Sequence, residues 1–229
     1  MTSRSDVSEL VTVSARATEL ASVELDSVFR TIGTGDPKRA RDALLRLYPA
    51  IGKKYGSVVS TAYGQWFEAQ RMAQTGAPGK ASLTGLPSID EMAGTVKYAA
   101  KFLFEGNPTS ALSLLQGALQ RHVTDSGRNT IYDSAAKDAL RPRFGRVPSG
   151  GETCSFCFML AGRGFIYASQ DTAGESRKYH DHCNCQIVPE WKPGGARIDG
   201  YNPDAMYALY RDARRSAGSK NPKDILAEM

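Results

Sequence analysis

Through the first 140 residues the apolar positions recur every three or four places rather than every second one, the spacing of helices that each bury one face. From Leu44 one stripe runs through Leu47, Ile51, Tyr55, Val58, Ala62, Trp66 and Ala69, with Lys53, Lys54, Gln65 and Arg71 off it. This predicts a long core helix that Pro49 bends or restarts near its beginning. Ile89, Met92, Val96, Ala99 and Leu103, then Leu112, Leu115, Leu119 and Val123, predict a second helical pair. His122, alone within that last segment, reads as a surface or interfacial residue.

Start signals agree with the periodicity. Asp6 with Glu9 and Ser88 with Glu91 have capping-box spacing. Asp36-Pro37, Asn107-Pro108 and Asn202-Pro203 each set a capping side chain before a proline whose missing N–H costs nothing at the first helical position. Between residues 75 and 87 the run TGAPGKASLTGLP has no periodicity, and predicts a flexible connection.

After Leu140 the pattern changes. Glycine, proline and aromatic residues dominate, Gly164 to Ser169 and Cys185 to Trp191 read as short strands, and Lys192 to Gly195 reads as a turn. A last helix is expected from Pro203 to Ala217, with Met206, Tyr207 and Tyr210 on one face, Gly218 as its stop and a loosely held tail behind it. The fold class is therefore α+β, with a helical body over residues 1–140 and a small mixed α/β module over residues 141–229.

Composition narrows the classes of function. No apolar run approaches the roughly 20 residues of a membrane span, and Met1 to Asp6 has no secretory character, so a soluble chain folding in a cytoplasm is expected. A net charge of +5 permits an acidic or nucleic-acid partner without demanding one. Arg141, Arg143 and Arg146, and Arg211, Arg214 and Arg215 on the last helix, are the candidates for phosphate contact, against the plainer reading of solvated faces.

The cysteines change the picture more than the charge. All four, with two of the three histidines, fall between Cys154 and Cys185. In a reducing compartment such clustering favours a metal over disulfides. Cys154-Ser-Phe-Cys157 is a turn that can offer two sulfurs to one ion, and His180, His182, Cys183 and Cys185 supply the other half of a zinc site. Six donors compete for four places. The favoured set is Cys154 and Cys157 with His180 and one or both of Cys183 and Cys185, leaving His182 as a neighbour or an alternative ligand. Buried free thiols beside an incidental histidine pair, or a disulfide formed on oxidation, are the plainer alternatives.

A closed thiolate and imidazole shell suggests structure rather than catalysis. Zinc nucleobase deaminases carry a glutamate two residues after the histidine and a C-x-x-C downstream of it, whereas here Asp181-His182 stands in that place and the C-x-x-C lies upstream. There is no H-E-x-x-H, G-x-S-x-G or P-loop pattern and no sign of a small-molecule substrate. Asp181-His182 leaves a metal-dependent nuclease, and the arginines leave a nucleic-acid-binding zinc module, as the alternatives to a chain that is not an enzyme.

Arg146-Val-Pro148, Cys154-x-x-Cys157, Arg163-Gly-Phe-Ile-Tyr167, Tyr179-His-Asp-His-Cys-Asn-Cys185 and Ile187-Val-Pro189 together resemble the C-terminal module of the phage Mu F-like minor head proteins, in versions from tailed phages of actinobacteria. The likeness covers roughly Arg141 to Ala217. His180, Cys183 and Cys185 match the family's usual ending, and His182 is extra to it. The resemblance implies a minor capsid or head-morphogenesis protein with a structural zinc, meeting portal protein or major capsid protein during procapsid assembly. It would stand at the portal vertex or inside the virion head after assembly in the host cytoplasm, and could touch phage DNA.

Overall fold

The computed structural model describes every residue except 84, 150–152, 154, 168–178, 180, 182, 184, 220 and 229. Four long helices, α1 (Arg4–Ile32), α2 (Pro37–Thr75), α3 (Ile89–Phe104) and α4 (Pro108–Lys137), form the body. They are followed by β1 (Arg143–Val147), α5 (Ser155–Ala161), β2 (Gln186–Glu190), α6 (Pro203–Ala217) and α7 (Pro222–Ala227). The architecture is the expected α+β: a mainly helical body with a small two-stranded sheet. Among the described residues no helix is long and apolar enough to cross a membrane.

The capping signals place the helices well. Asp36, Asn107 and Asn202 each accept backbone N–H bonds ahead of a proline, and Ser88 accepts from Glu91 N. At α1 the cap lies earlier than the Asp6 and Glu9 pair suggests: Ser3 is the N-cap, and Ser3 N donates to Asp6 Oδ2 at 2.6 Å in a reciprocal box. Nor does Pro49 restart α2, which runs unbroken through it. A proline forfeits the bond to the carbonyl four residues back. The flanking turn is held by the buried Leu44 and Tyr48, whose hydroxyl donates to Leu115 O at 3.1 Å.

α2 packs on α1, α3 and α4, and its buried stripe is offset from the apolar series. Leu47 and Val58 are exposed, while Tyr48, Val59, Tyr63 and Phe67 are buried. Glycines explain the offset. A Cβ at Gly52 would lie 2.5 Å from Met92 Sδ, one at Gly56 2.5 Å from Ser126 Oγ, and one at Gly127 of α4 2.6 Å from the Tyr63 ring. Small residues thus let the helices approach closely along a seam that an apolar count overlooks, and Ser60 Oγ and Thr130 Oγ1 meet across it at 2.7 Å.

Three other expectations about the body are corrected. Arg71 is buried rather than off the face, paired with Asp138 at 2.6 Å. His122 is buried, its Nε2 3.2 Å from Thr95 Oγ1 and its ring edge-on to Tyr48. The connection after α2 is tied down rather than flexible. Arg71 Nη1 donates to Ala77 O and Pro78 O, Ala81 N to Glu68 Oε1, and Ser82 N to Ser134 Oγ, all within 2.9 Å.

β2 pairs antiparallel with β1, Arg143 opposite Glu190 and Val147 opposite Gln186. The strand expected from Gly164 contributes only a bridge between Tyr167 and Phe144; residues 168 and 169 lie outside those described. β1 replaces it as the partner, its period of two hidden by Gly145 and by a buried Arg146 among the inward positions. The expected loose tail is instead the short α7, which buries Ile225. One core cluster joins helices and sheet: Tyr132 stacks edge-on to Phe144 at 4.8 Å, and Tyr63 Oη donates to Gln186 Oε1 at 2.7 Å.

Candidate metal centre

Cys157 sits in the first turn of α5, and Cys183 and Cys185 lie in the segment that leads into β2. The three sulfurs lie within 4.8 Å of one another, and Cys157 Sγ and Cys183 Sγ are 3.6 Å apart. A disulfide requires about 2.05 Å. Two thiolates of a tetrahedral zinc stand about 3.8 Å apart, given Zn–S bonds of about 2.3 Å. All three side chains are buried, at 0%, 3% and 4% exposure.

Three buried cysteines this close can hold a metal ion, and their donor set and spacing fit a thiophilic divalent ion such as zinc. Of the five expected ligands the structure brings Cys157, Cys183 and Cys185 together. Cys154 and His180 lie outside the described residues, as does His182.

The trio shares its protons unevenly. Hydrogen bonds from the Cys157 and Cys185 thiols, with the Arg128 guanidinium nearby, hold Cys183 far below the ordinary thiol range. Its bond to Cys183 pushes Cys157 up to about 12, and bonds to Cys157 and Cys183 raise Cys185 too. A bound cation would replace those shared protons.

Sequence reasoning missed Arg128 and placed Arg146 among phosphate contacts rather than beside the trio. Arg128 of α4, fully buried, donates from Nε to Cys185 O at 3.0 Å, from Nη2 to Cys183 O, and from Nη1 to Asp125 Oδ1 at 2.7 Å. Arg146 of β1, also fully buried, donates from Nη1 to Cys157 Sγ at 3.2 Å. The Tyr179 ring lies between them, its centroid 3.8 Å from the guanidinium carbon of Arg128 and 4.1 Å from that of Arg146. Burial works against both charges, but Tyr179, with Asp125 beside Arg128 and Cys157 beside Arg146, holds them above the ordinary arginine range.

Arg146 is therefore not available to phosphate, which corrects that expectation. Arg141 and Arg143 are exposed, as are Arg211, Arg214 and Arg215 on α6, where Arg215 pairs with Asp212. Asp181 pairs with Arg121 at 3.3 Å and rests against Gly117.

The model of the VG15 protein family matches residues 1–213. The Gene 15 protein of Mycobacterium phage D29 is 27% identical over 164 residues, 69% of this chain and 57% of that relative, so the chain spans little more than half the relative's length. No solved structure matches the chain.

Proposed function

The chain belongs to the VG15 protein family, and from that premise we propose that it is a structural protein of a tailed-phage head, a minor capsid or head-morphogenesis protein that acts in procapsid assembly at the portal vertex. It binds portal protein, major capsid protein or both, performs no catalysis, and is carried in the virion. The sequence resemblance of Arg141 to Ala217 to the Mu F-like minor head proteins is in keeping with the same role.

The observation that carries this reading is the family match over residues 1–213 with its phage relative, and the buried cluster of Cys157, Cys183 and Cys185, held from the helical body by Arg128, supports its metal part. A zinc ion there would supply folding free energy by cross-linking α5 to the segment before β2. The cysteines, Tyr179 and the two short strands share the core of the helical body, and a metal cross-link would add to that burial where α5 and the segment before β2 meet. A metal staple then fixes a surface for docking rather than a reaction site.

Coexpression of the chain with the portal and major capsid proteins of its own phage tests the proposal. Procapsids should contain the chain, and a Cys183→Ser, Cys185→Ser variant should be excluded from them. Procapsids that never incorporate the wild-type chain would overturn it. The exposed Arg211, Arg214 and Arg215 favour one second reading, a DNA contact made in addition to assembly, whose affinity would fall steeply with salt.

A further inference from the structure

The two buried arginines need an account beyond packing. A guanidinium taken fully out of water is costly unless an anion or an array of acceptors meets it. Arg128 has such an array: two carbonyls, at Cys183 and Cys185, and the Asp125 carboxylate. Its planar fork spans the C-x-C backbone and fixes the direction in which both thiols leave the chain. Arg146 instead donates straight to a sulfur, Cys157 Sγ at 3.2 Å. Tyr179 keeps the two cations about one ring apart and presents a face to each.

Resting on the metal reading above, we infer that Arg146 and Arg128 are positioning residues of the metal centre, and set how tightly it holds its ion. Arg146 neutralises thiolate charge through its N–H to Cys157 Sγ, and Arg128 orients Cys183 and Cys185 through their carbonyls. A divalent ion with three thiolates carries net negative charge, and a hydrogen bond to sulfur stabilises that charge in a buried site. The same bond to a neutral thiol is weak. The arginines thus favour the loaded state over the empty one.

The test uses the full chain as wild type, Arg146→Met, Arg146→Lys and Arg128→Lys. Zinc per chain is measured on protein purified without chelator, and zinc release to a chromogenic chelator is then timed. The sulfur-to-cobalt charge-transfer band is recorded after cobalt substitution. Removing partners of this kind commonly costs 10- to 100-fold in metal affinity. Arg146→Met should release zinc faster by about that factor and shift the cobalt band, with Arg146→Lys, which keeps the charge, falling between. Arg128→Lys should speed release with a smaller shift of the band, because it acts on carbonyls and not on sulfur. Wild-type release and an unshifted band in both Arg146 variants would overturn the inference while leaving the metal centre standing. Wild-type protein free of zinc and unable to take up cobalt would remove the centre and the inference together. If Arg146→Met does not fold, Arg146→Lys decides between these outcomes.

Discussion

Arg71 and Asp138 meet at 2.6 Å beneath the loop that joins α2 to α3, and the pair ties four segments together. Asp138 also accepts from Trp191 Nε1 at 3.1 Å and from Leu140 N at 2.8 Å, while Arg71 holds Ala77 O and Pro78 O. Both side chains are almost wholly buried, at 10% and 3% exposure. Deleting the carboxylate leaves a buried guanidinium uncompensated, so Asp138→Ala should cost about 3–5 kcal/mol in urea unfolding. The Arg71→Met, Asp138→Leu double variant should recover part of that loss; failure of the double variant to exceed the single would place the energy in the loop contacts instead.

The same pair sets an acid limit. Burial alone would raise the Asp138 pKa, but bonds from Arg71, Leu140 N and Trp191 outweigh it and hold the pKa below the usual carboxylate value. A depressed carboxylate contributes stability that is complete above its unfolded value, about 3.9, and is lost as pH falls through the folded one. Unfolding midpoints measured below pH 4 should drop less in Asp138→Asn than in wild type.

His122 acts in a higher window. Burial first, then the neighbouring Arg121, lowers its pKa, against smaller opposing effects of Glu91 and Asp181. Its neutral ring is the form the fold prefers, so the contribution is present above the unfolded value of about 6.5 and declines as pH falls below it. His122→Gln should flatten the pH dependence of stability between pH 7 and 5, read by thermal melts at fixed ionic strength.

Polar punctuation and apolar spacing made the helical body legible, since Asp36, Asn107 and Asn202 ahead of prolines each start a helix in the structure. The facing of α2 was less legible because Gly52, Gly56 and Ser60 carry little apolar signal, yet lie on its buried side. The cysteine cluster could be read from spacing, and three of its members do converge. Arg128 and Arg146 could not. Arginine ordinarily reads as surface, and only β1 pairing and the polar inner face of α4 reveal these two as buried.

Removal of the ion should separate body from module. Prolonged incubation with a strong zinc chelator, or Cys157→Ser, is expected to lower hydrogen-exchange protection in β1, β2 and α5 by an order of magnitude or more. The centres of α2 and α4 should keep theirs, because the cross-link orders the former alone. Equal loss throughout would show that the staple supports the whole fold. No loss anywhere would show that the thiols stand by themselves.

Two glycines should respond to the same substitution with opposite sign. Gly94 lies on the exposed side of α3, and a Cβ there meets nothing within 4 Å. Alanine restricts the unfolded chain and favours helix, so Gly94→Ala should stabilise by about 0.5–1 kcal/mol. Gly127 lies on α4, where a Cβ would stand 2.6 Å from the Tyr63 ring. That ring cannot retreat freely, because Tyr63 Oη is bonded to Gln186 and lies 2.7 Å from Ser14 Oγ. Gly127→Ala should therefore destabilise by about 1–3 kcal/mol in urea titrations, the ordinary cost of overpacking. If Tyr63→Phe, which frees the ring from Ser14, Gln186 and the Leu10 carbonyl, is made alongside it, the added cost of Gly127→Ala should shrink; an unchanged cost would mean that helix separation, not the ring, takes up the strain.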